Sequence, residues 1–415
     1  MIGSLYSGIS GLKTNTSAMA VIGDNIANVN TTGFKTSRVE FSNVFNATLG
    51  QSRNQIGRGV TMSGVSSNWN SGTMETTNTV TDLALNGPGM FIVRNAANNG
   101  QYYTRAGQFE FNSSNLLVNA DGLEVQGYAI DAAGNAGALG TITLPNGIST
   151  PQETSEITMG INLDSAAIAG DTFDTTISVY DTLGNSIELN FNFVNQSPGV
   201  WDYYVSPSVG TVVPSSAAPH TLAFDTNGDL DLANCLPAGY LPAGLDPHIT
   251  VTGTGLGGGD IDVTWTMLNA VGASNGSLTG YAGTSVKTAQ TQDGYPSGML
   301  QGISVDEDGI FTGLYSNGTM TPFAQIAVAD FASYSGLAKQ GSNLFTSSLA
   351  SGQPIISVPN TAGVGAIAPS SLEMSNVDLA QEFVALITTQ RAFQANSKVI
   401  TTSDEVLAEL INIKR

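Results

Sequence analysis

Few residues in this 415-residue chain have both the type and the spacing that chemistry requires. Gly253-Thr254-Gly255-Leu256-Gly257-Gly258 fits the glycine pattern that cradles a pyrophosphate, and it follows the apolar run Ile249-Thr250-Val251. That use needs a helix next, whose N-terminus holds the phosphates. Ile261, Val263, Trp265 and Met267 instead alternate as a strand does, so the glycines read as a flexible β connection. Gly272-Ala273-Ser274-Asn275-Gly276 fits a nucleophile elbow, which requires a histidine later in the chain. His220 and His248, the only histidines, both precede it, so the nucleophile reading fails and general-base chemistry has little to work with. Asp225, Asn227, Asp229 and Asp231 have the alternate spacing of a calcium loop. Gly228 is misplaced for one, however, and Leu236 stands where a bidentate glutamate is needed. Asn227-Gly228 between Leu222/Phe224 and Leu230/Leu232 reads better as a hairpin tip. No Cys or His cluster suggests zinc. The residues therefore predict no catalytic, cofactor or metal site.

The totals point the same way. Only 11% of residues are charged, and glycine, asparagine, threonine and serine are abundant, as in chains of many short strands and turns. A net charge of −20 argues against nucleic acid, whose phosphates must be neutralised by clustered Lys and Arg. No basic residue occurs between Arg105 and Lys287, while Asp171, Asp174, Asp181, Asp229 and Asp231 do, so the middle of the chain is acidic and solvated. The single cysteine, Cys235, allows no intrachain disulfide. The N-terminal stretch has neither a basic nor an apolar signal region, and no apolar run reaches the ~20 residues of a membrane span. Neither a cleaved signal nor a membrane span is expected.

The strongest pattern lies at the two ends. Leu379, Leu386, Phe393, Ile400 and Leu407 fall every seventh residue, with Phe383 and Ile411 at a four-residue offset; Gln390, Ser397 and Asp404 interrupt that second row. Leu5, Leu12, Met19 and Ile26 repeat the spacing at the head, with Ile2 and Ile9 offset between them. A hydrophobic period of 3.5 predicts two terminal helices, each with a seam that needs a partner helix. Gly3, Gly8, Gly11 and Gly23 weaken the first by up to roughly 1 kcal/mol each, so packing must order it. The partner is either the other end of the same chain, in an ordinary amphipathic pair closing one fold, or the same helices on neighbouring copies. The first helix stops in Asn28 to Gly33, and Ser375 opens the second with Asp378 three residues on.

Between the helices the reading is β. Residues 34–75 show no sustained period, with Phe34, Phe41, Phe45 and Trp69 scattered through polar residues, and read as a connector tacked down by its aromatics. Gly89 to Val93 is a strand; Asp308-Gly309 and Asn317-Gly318 mark hairpins. Ile187, Leu189, Phe191 and Phe193 alternate with Glu188, Asn190 and Asn192, the pattern of an antiparallel sheet with one polar face. The expected fold is mixed and mainly β with terminal α-helices, in nested discontinuous domains. These are a terminal helical coiled-coil domain (1–30 and 372–415), an extended connector (31–75), a β-rich domain (76–145 and 285–371) and an inserted antiparallel β domain (146–284).

At this point the residues resemble a known family. Ala27-Asn28-Val29-Asn30-Thr31-Thr32-Gly33-Phe34-Lys35, preceded by Ser10-Gly11-Leu12 and Val21 to Ile26, resembles the N-terminal signature of the bacterial flagellar rod and hook proteins. Ser375 to Leu379, Gln390 to Ser397 and Ile400 to Glu405 resemble its C-terminal counterpart, and Leu83 to Val93 with Tyr103 to Phe109 its first β domain. The insert, with Val179 to Ser186, resembles that of hook-type members; distal-rod members lack so large an insert. Asp24 departs from the asparagine common in the family. The resemblance implies a curved, hollow homopolymer acting as a universal joint between rod and filament. The terminal helices would be innermost around an export channel and the acidic insert outermost. It implies export by the flagellar type III apparatus to an extracellular flagellar location. Its implied partners are further copies, the distal rod protein, a hook cap protein and hook–filament junction proteins. A rod-type axial protein and a secreted β-rich adhesin are the alternatives.

Overall fold

The computed structural model describes residues 2–44, 58–131, 134–145, 147–213, 220–235, 246–269, 272–361 and 363–413. Phe45 and Leu236 lie outside the described residues, as does the side chain of Ile411. Two compact units result: Met1–Pro145 with Ile303–Gly313 and Met320–Arg415, and Asn146–Gly302 with Leu314–Thr319.

The first unit holds both helices, α1 (Ile2–Ala27) and α2 (Leu379–Ile413). Asp378, not Ser375, caps α2: its carboxylate accepts from the backbone N–H of Ala380 (2.8 Å) and Gln381 (3.2 Å), satisfying two of the free donors at a helix start. Between α1 and the β body, β1 (Ser37–Asn43) and β2 (Val60–Ser67) form an antiparallel ribbon, so residues 34–75 are not simply an extended connector. The ribbon shows no clear period because it buries little: on β1 only Ser37 and Val39 are covered, while Phe41 is 52% exposed. Trp69 beyond it is anchored, its ring 5.3 Å from that of Tyr334 and 5.0 Å from that of Phe345.

The β body of this unit is built around the strand Met90–Arg94. Phe91 and Val93 enter one apolar cluster with Leu83, Val125, Phe311 and Ile326; Met90 and Ile92 enter a second with Tyr103, Ala329 and Phe331. Both faces are covered, which is why Met90 to Val93 is an unbroken apolar run. The two sequence-distant parts are sewn together: Ala366–Pro369 pairs with Leu83–Asn86, and Ser371–Glu373 with Met74–Thr76, both antiparallel.

The second unit is a pair of sheets around one core. Strands Thr172–Tyr180, Ser186–Ser197, Val200–Pro207 and His220–Ala223 make one sheet. The other includes Glu156–Asn162, His248–Thr252 and Ile261–Trp265. Val286–Gln292 is antiparallel to Glu156–Asn162, which carries this unit past position 284. Ile187, Leu189, Phe191 and Phe193 are buried as their alternation requires, and they meet Trp201, Tyr203 and Trp265 in the shared core.

The glycine-rich candidates are turns. Gly253, Gly255 and Gly257 all lie at positive φ between two antiparallel strands, and no helix follows. Asp225 occupies a hairpin tip whose own amides consume its carboxylate: Oδ1 accepts from Asn227 N–H (2.8 Å) and Asp229 N–H (2.9 Å). Those bonds, first that of Asp229, hold its pKa below the usual carboxylate value. Asn112, Asn119, Asp181 and Asp306 cap turns identically, each accepting from residues two and four positions on. The residue three positions on (Asn115, Gly122, Gly184, Gly228 or Gly309) is left-handed each time. The recurrent Asp/Asn-x-x-Gly/Asn is thus a turn chemistry rather than a metal motif.

Candidate assembly site at the paired termini

α1 and α2 run antiparallel. The Ser4 and Ser403 hydroxyls are 3.3 Å apart at one end, and Asn25 Nδ2 donates to Glu382 Oε1 (3.1 Å) at the other. The covered face of α1 is not its apolar row. Gly8, Gly11, Thr14, Ala18 and Asn25 are buried, whereas Leu5, Leu12, Met19 and Ile26 are half-buried and Ile9 is 49% exposed. Small residues let the helices approach: a Cβ on Gly8 would lie 2.9 Å from Ile400 Cγ1, and one on Gly11 2.7 Å from Asn396 Nδ2. Two of the four glycines that weaken α1 as an isolated helix, Gly8 and Gly11, are what allow it to pair.

On α2, Leu386, Phe393, Ile400 and Leu407 are half-buried toward this pairing. The row that alternates with them is Glu382, Thr389, Asn396 and Ser403, not the offset begun by Phe383. Phe383 is 49% exposed and Leu379 41%; Val384, Ile387, Val399 and Val406 are exposed by 42–62%. The pairing of the termini therefore satisfies one stripe of α2 and leaves apolar side chains on its remaining faces.

The signature segment explains itself through a buried charge cluster in which its Lys35 and Arg105 of the first β domain share Glu373, a residue that no local motif marks. Lys35 Nζ lies 2.6 Å from Glu373 Oε1, and Arg105 Nη1 3.2 Å from Glu373 Oε2; all three side chains are at most 3% exposed. Gly72 N–H also donates to Glu373 Oε1 (2.9 Å), Lys35 donates to Asn70 O (2.8 Å), and Arg105 Nη2 to Gly87 O (2.7 Å). Burial pushes the Lys35 pKa down, Glu373 pulls it back up, and Arg105 adds to the lowering. Gly33 donates to Glu373 O (2.7 Å) at φ +70°, pressed so closely on Arg105–Ala106 that a Cβ would meet Ala106 N at 2.6 Å. Thr31 Oγ1 donates to Asn28 Oδ1, Asn28 Nδ2 donates to Asp24 Oδ1, and Thr32 O accepts from Asn343. Phe34 O accepts from Asn376 N–H at 3.5 Å, while Ala27 and Asn30 are exposed.

Asn376 closes the circuit just before α2. Its Oδ1 accepts from Thr36 N–H, and its Nδ2 donates to the carbonyls of Asn68 and Asn70. Buried Asn25 exchanges two bonds with the backbone of Ser37. Polar residues scattered over the sequence thus fasten the segment after α1 to the strand before α2. Their separation, 338 positions for Lys35 and Glu373, hid them from any local motif.

Comparison with known proteins agrees with this architecture. Residues 5–35 match the flagella basal body rod protein family, residues 84–162 the flagellar hook protein FlgE/F/G D1 domain, residues 143–295 the flagellar basal body protein FlaE D2 domain, and residues 368–413 the flagellar basal body rod FlgEFG protein C-terminal family. The chain is 35% identical over 449 aligned residues to the flagellar hook protein FlgE of Borreliella burgdorferi, covering all of both chains. It is 30% identical to that of Salmonella typhimurium, covering 99% of this chain and 100% of the relative. A crystal structure of Helicobacter pylori FlgE2 shares the fold, with a TM-score of 0.51 at 14% identity over 72% of this chain and 100% of that one. The chain belongs to the flagellar hook protein FlgE family.

Proposed function

We propose that the chain is the structural subunit of the bacterial flagellar hook, polymerising into a curved hollow tube that transmits torque from rod to filament while bending. One observation carries the reading: with α1 and α2 paired, α2 still exposes Phe383, Val384, Ile387, Val399 and Val406. Several such side chains gathered on one helix mark contact with other molecules. The locked signature holds the helix pair at a defined place on its β body, which a repeating contact needs. The subunit does its work by assembly and performs no catalysis. No described helix is long and apolar enough to cross a membrane, and its place is the extracellular flagellum, reached through the type III export apparatus. The partners are further copies, the distal rod protein, the hook cap protein and the hook–filament junction proteins.

Electron microscopy of the purified full chain under polymerising conditions tests this. Curved tubes of uniform diameter are expected, and none from a chain lacking residues 376–415. Persistent monomers from the full chain at high concentration would overturn it.

A further inference from the structure

Beside the helix pair lies an open groove of about 760 Å³, bounded by α1, the β1–β2 ribbon and the first half of α2. Ala18 and Ile22 of α1, Phe41 of β1 and Ala385 of α2 give it apolar patches among polar side chains; exposed Arg38 lines it, as does Glu382, whose carboxylate accepts from Asn25. Arg38 forms no ion pair among the described residues. A half-exposed phenylalanine and an unpaired arginine facing one cleft suit an occupant that is apolar with an acidic edge.

The other half of α2 is such a surface. Val399 and Val406, seven residues apart and 42% and 50% exposed, lie on one flank of the helix. Exposed Glu405 adjoins Val406 and exposed Glu409 is its i+3 neighbour, while exposed Lys398 adjoins Val399 at the other end of the flank; neither glutamate has an ion-pair partner among the described residues. We propose that the groove of each chain receives this Val399–Glu409 flank of a second copy, with Arg38 answering Glu405 and Glu409. The inference rests on the self-assembly reading above and names its contact.

The two surfaces cannot meet within one chain. Ile22 lies near the Asn25–Glu382 end of the helix pair, and Val406 near the Ser4–Ser403 end. The helix between Ala385 and the valines spans roughly 20–30 Å. A contact between two different patches is head-to-tail, and repeated with such an offset it generates an open stack rather than a closed dimer. It also requires nothing from the second unit.

Charge exchange in the full chain tests the contact. Arg38→Glu, or Glu405→Arg with Glu409→Arg, should each raise the critical concentration for polymerisation about tenfold or more. Combining them should bring it back to within about threefold of the unsubstituted protein, as the coupling of a direct pair requires. Single variants that polymerise normally, or a combination no better than either part, overturn the contact. A second measurement does not depend on weakened assembly. With Cys235→Ser to remove the native thiol, Ile22→Cys and Val406→Cys should give a ladder of cross-linked oligomers on mild oxidation of the polymer. They are too distant to bridge within one chain. Polymer without a ladder overturns the groove contact and leaves the hook reading standing; absence of polymer from the unsubstituted chain overturns both.

Discussion

The second unit and the helix pair make opposite use of apolar residues. In the second unit Phe191, Phe193 and Trp265 are all 0% exposed, and Trp201 is 1%. That core is finished by its own chain. In α2, Leu379, Phe383 and Ile387 are 41–50% exposed after the only other α-helix among the described residues has been used. The contrast teaches that a clean hydrophobic period says a surface will be covered but not by which molecule. Truncation separates the cases. Trp265→Ala should lower the stability of the dilute chain by about 3–5 kcal/mol in chemical denaturation, since it opens a cavity in a closed core. Phe383→Ala should change it by no more than about 0.5 kcal/mol, as a surface residue does, while raising the concentration needed for polymer. Equal effects of the two in the dilute chain would erase the comparison.

A sharper test lies in the charge cluster that fastens the termini, where two cations share one carboxylate. Glu373→Gln leaves Lys35 and Arg105 buried without an anion and should cost about 3–5 kcal/mol. Lys35→Met leaves the Arg105–Glu373 pair, which is neutral overall, and removes an amine already disfavoured by burial, so it should cost clearly less. Thermal unfolding of the two variants gives the order directly; the reverse order would mean that the Lys35 bond to Asn70, rather than charge balance, governs the site.

Much of this was readable in advance wherever structure is local. The helices, the alternation of Ile187 to Phe193 and the Asp308-Gly309 turn each declare themselves within a few residues. The family signature also located Gly33 and Lys35, without their reason. What could not be read is non-local or small. Glu373 and Asn376 matter because of residues hundreds of positions away. The covered face of α1 is made of Gly8, Gly11 and Ala18, which no hydrophobicity pattern favours over Leu12 and Met19. The ribbon escaped because its strands bury almost nothing. Asn227-Gly228 and Asp308-Gly309 read as turns from their own residues, whereas the shared Asp/Asn-x-x-Gly/Asn spacing that also makes turns at Asn112 and Asn119 emerges only from the side-chain bonds.

Acid should move the two regions in opposite directions. Burial raises the pKa of Asp181, but the Asn185 side chain and the amides of Asn185, Leu183 and Gly184 outweigh it and hold the group below its ordinary value. The folded form therefore binds its proton less readily than the unfolded one, and this contribution is present above about pH 4 and fades as pH falls through the depressed pKa. Asp293 behaves alike: burial raises it, and the Ser155 hydroxyl with the Glu156 and Ser155 amides overcomes that. Glu382 on α2 is the reverse. Burial raises its pKa, Asn25 opposes this, and Asp378 adds to the rise. Its folded form holds the proton more tightly, so titration from neutral pH down through that raised pKa adds stability to the helix pair. With Trp69 of the first unit replaced by phenylalanine, the remaining tryptophan fluorescence comes from Trp201 and Trp265 of the second unit; followed from pH 7 to 3, it should diverge from the helical circular dichroism signal and weaken first. Asp181→Asn should flatten the fluorescence curve; Glu382→Gln should flatten the helical one.

The smallest effects contrast two places on a single helix. At Gly11 an added side chain runs into Asn396, whereas around Gly23 nothing lies within 4 Å of the position a Cβ would take. Gly23→Ala should therefore do only what alanine does in any helix, stabilising it by up to about 1 kcal/mol. Gly11→Leu has better helix propensity than glycine too, yet it must push α2 aside, and overpacking of this kind costs about 1–3 kcal/mol. Substitutions that both help an isolated helix should thus shift its melting temperature in opposite directions, upward at 23 and downward at 11. If both raise it, the close approach of α1 and α2 is not what orders this helix, and the small-residue face is incidental.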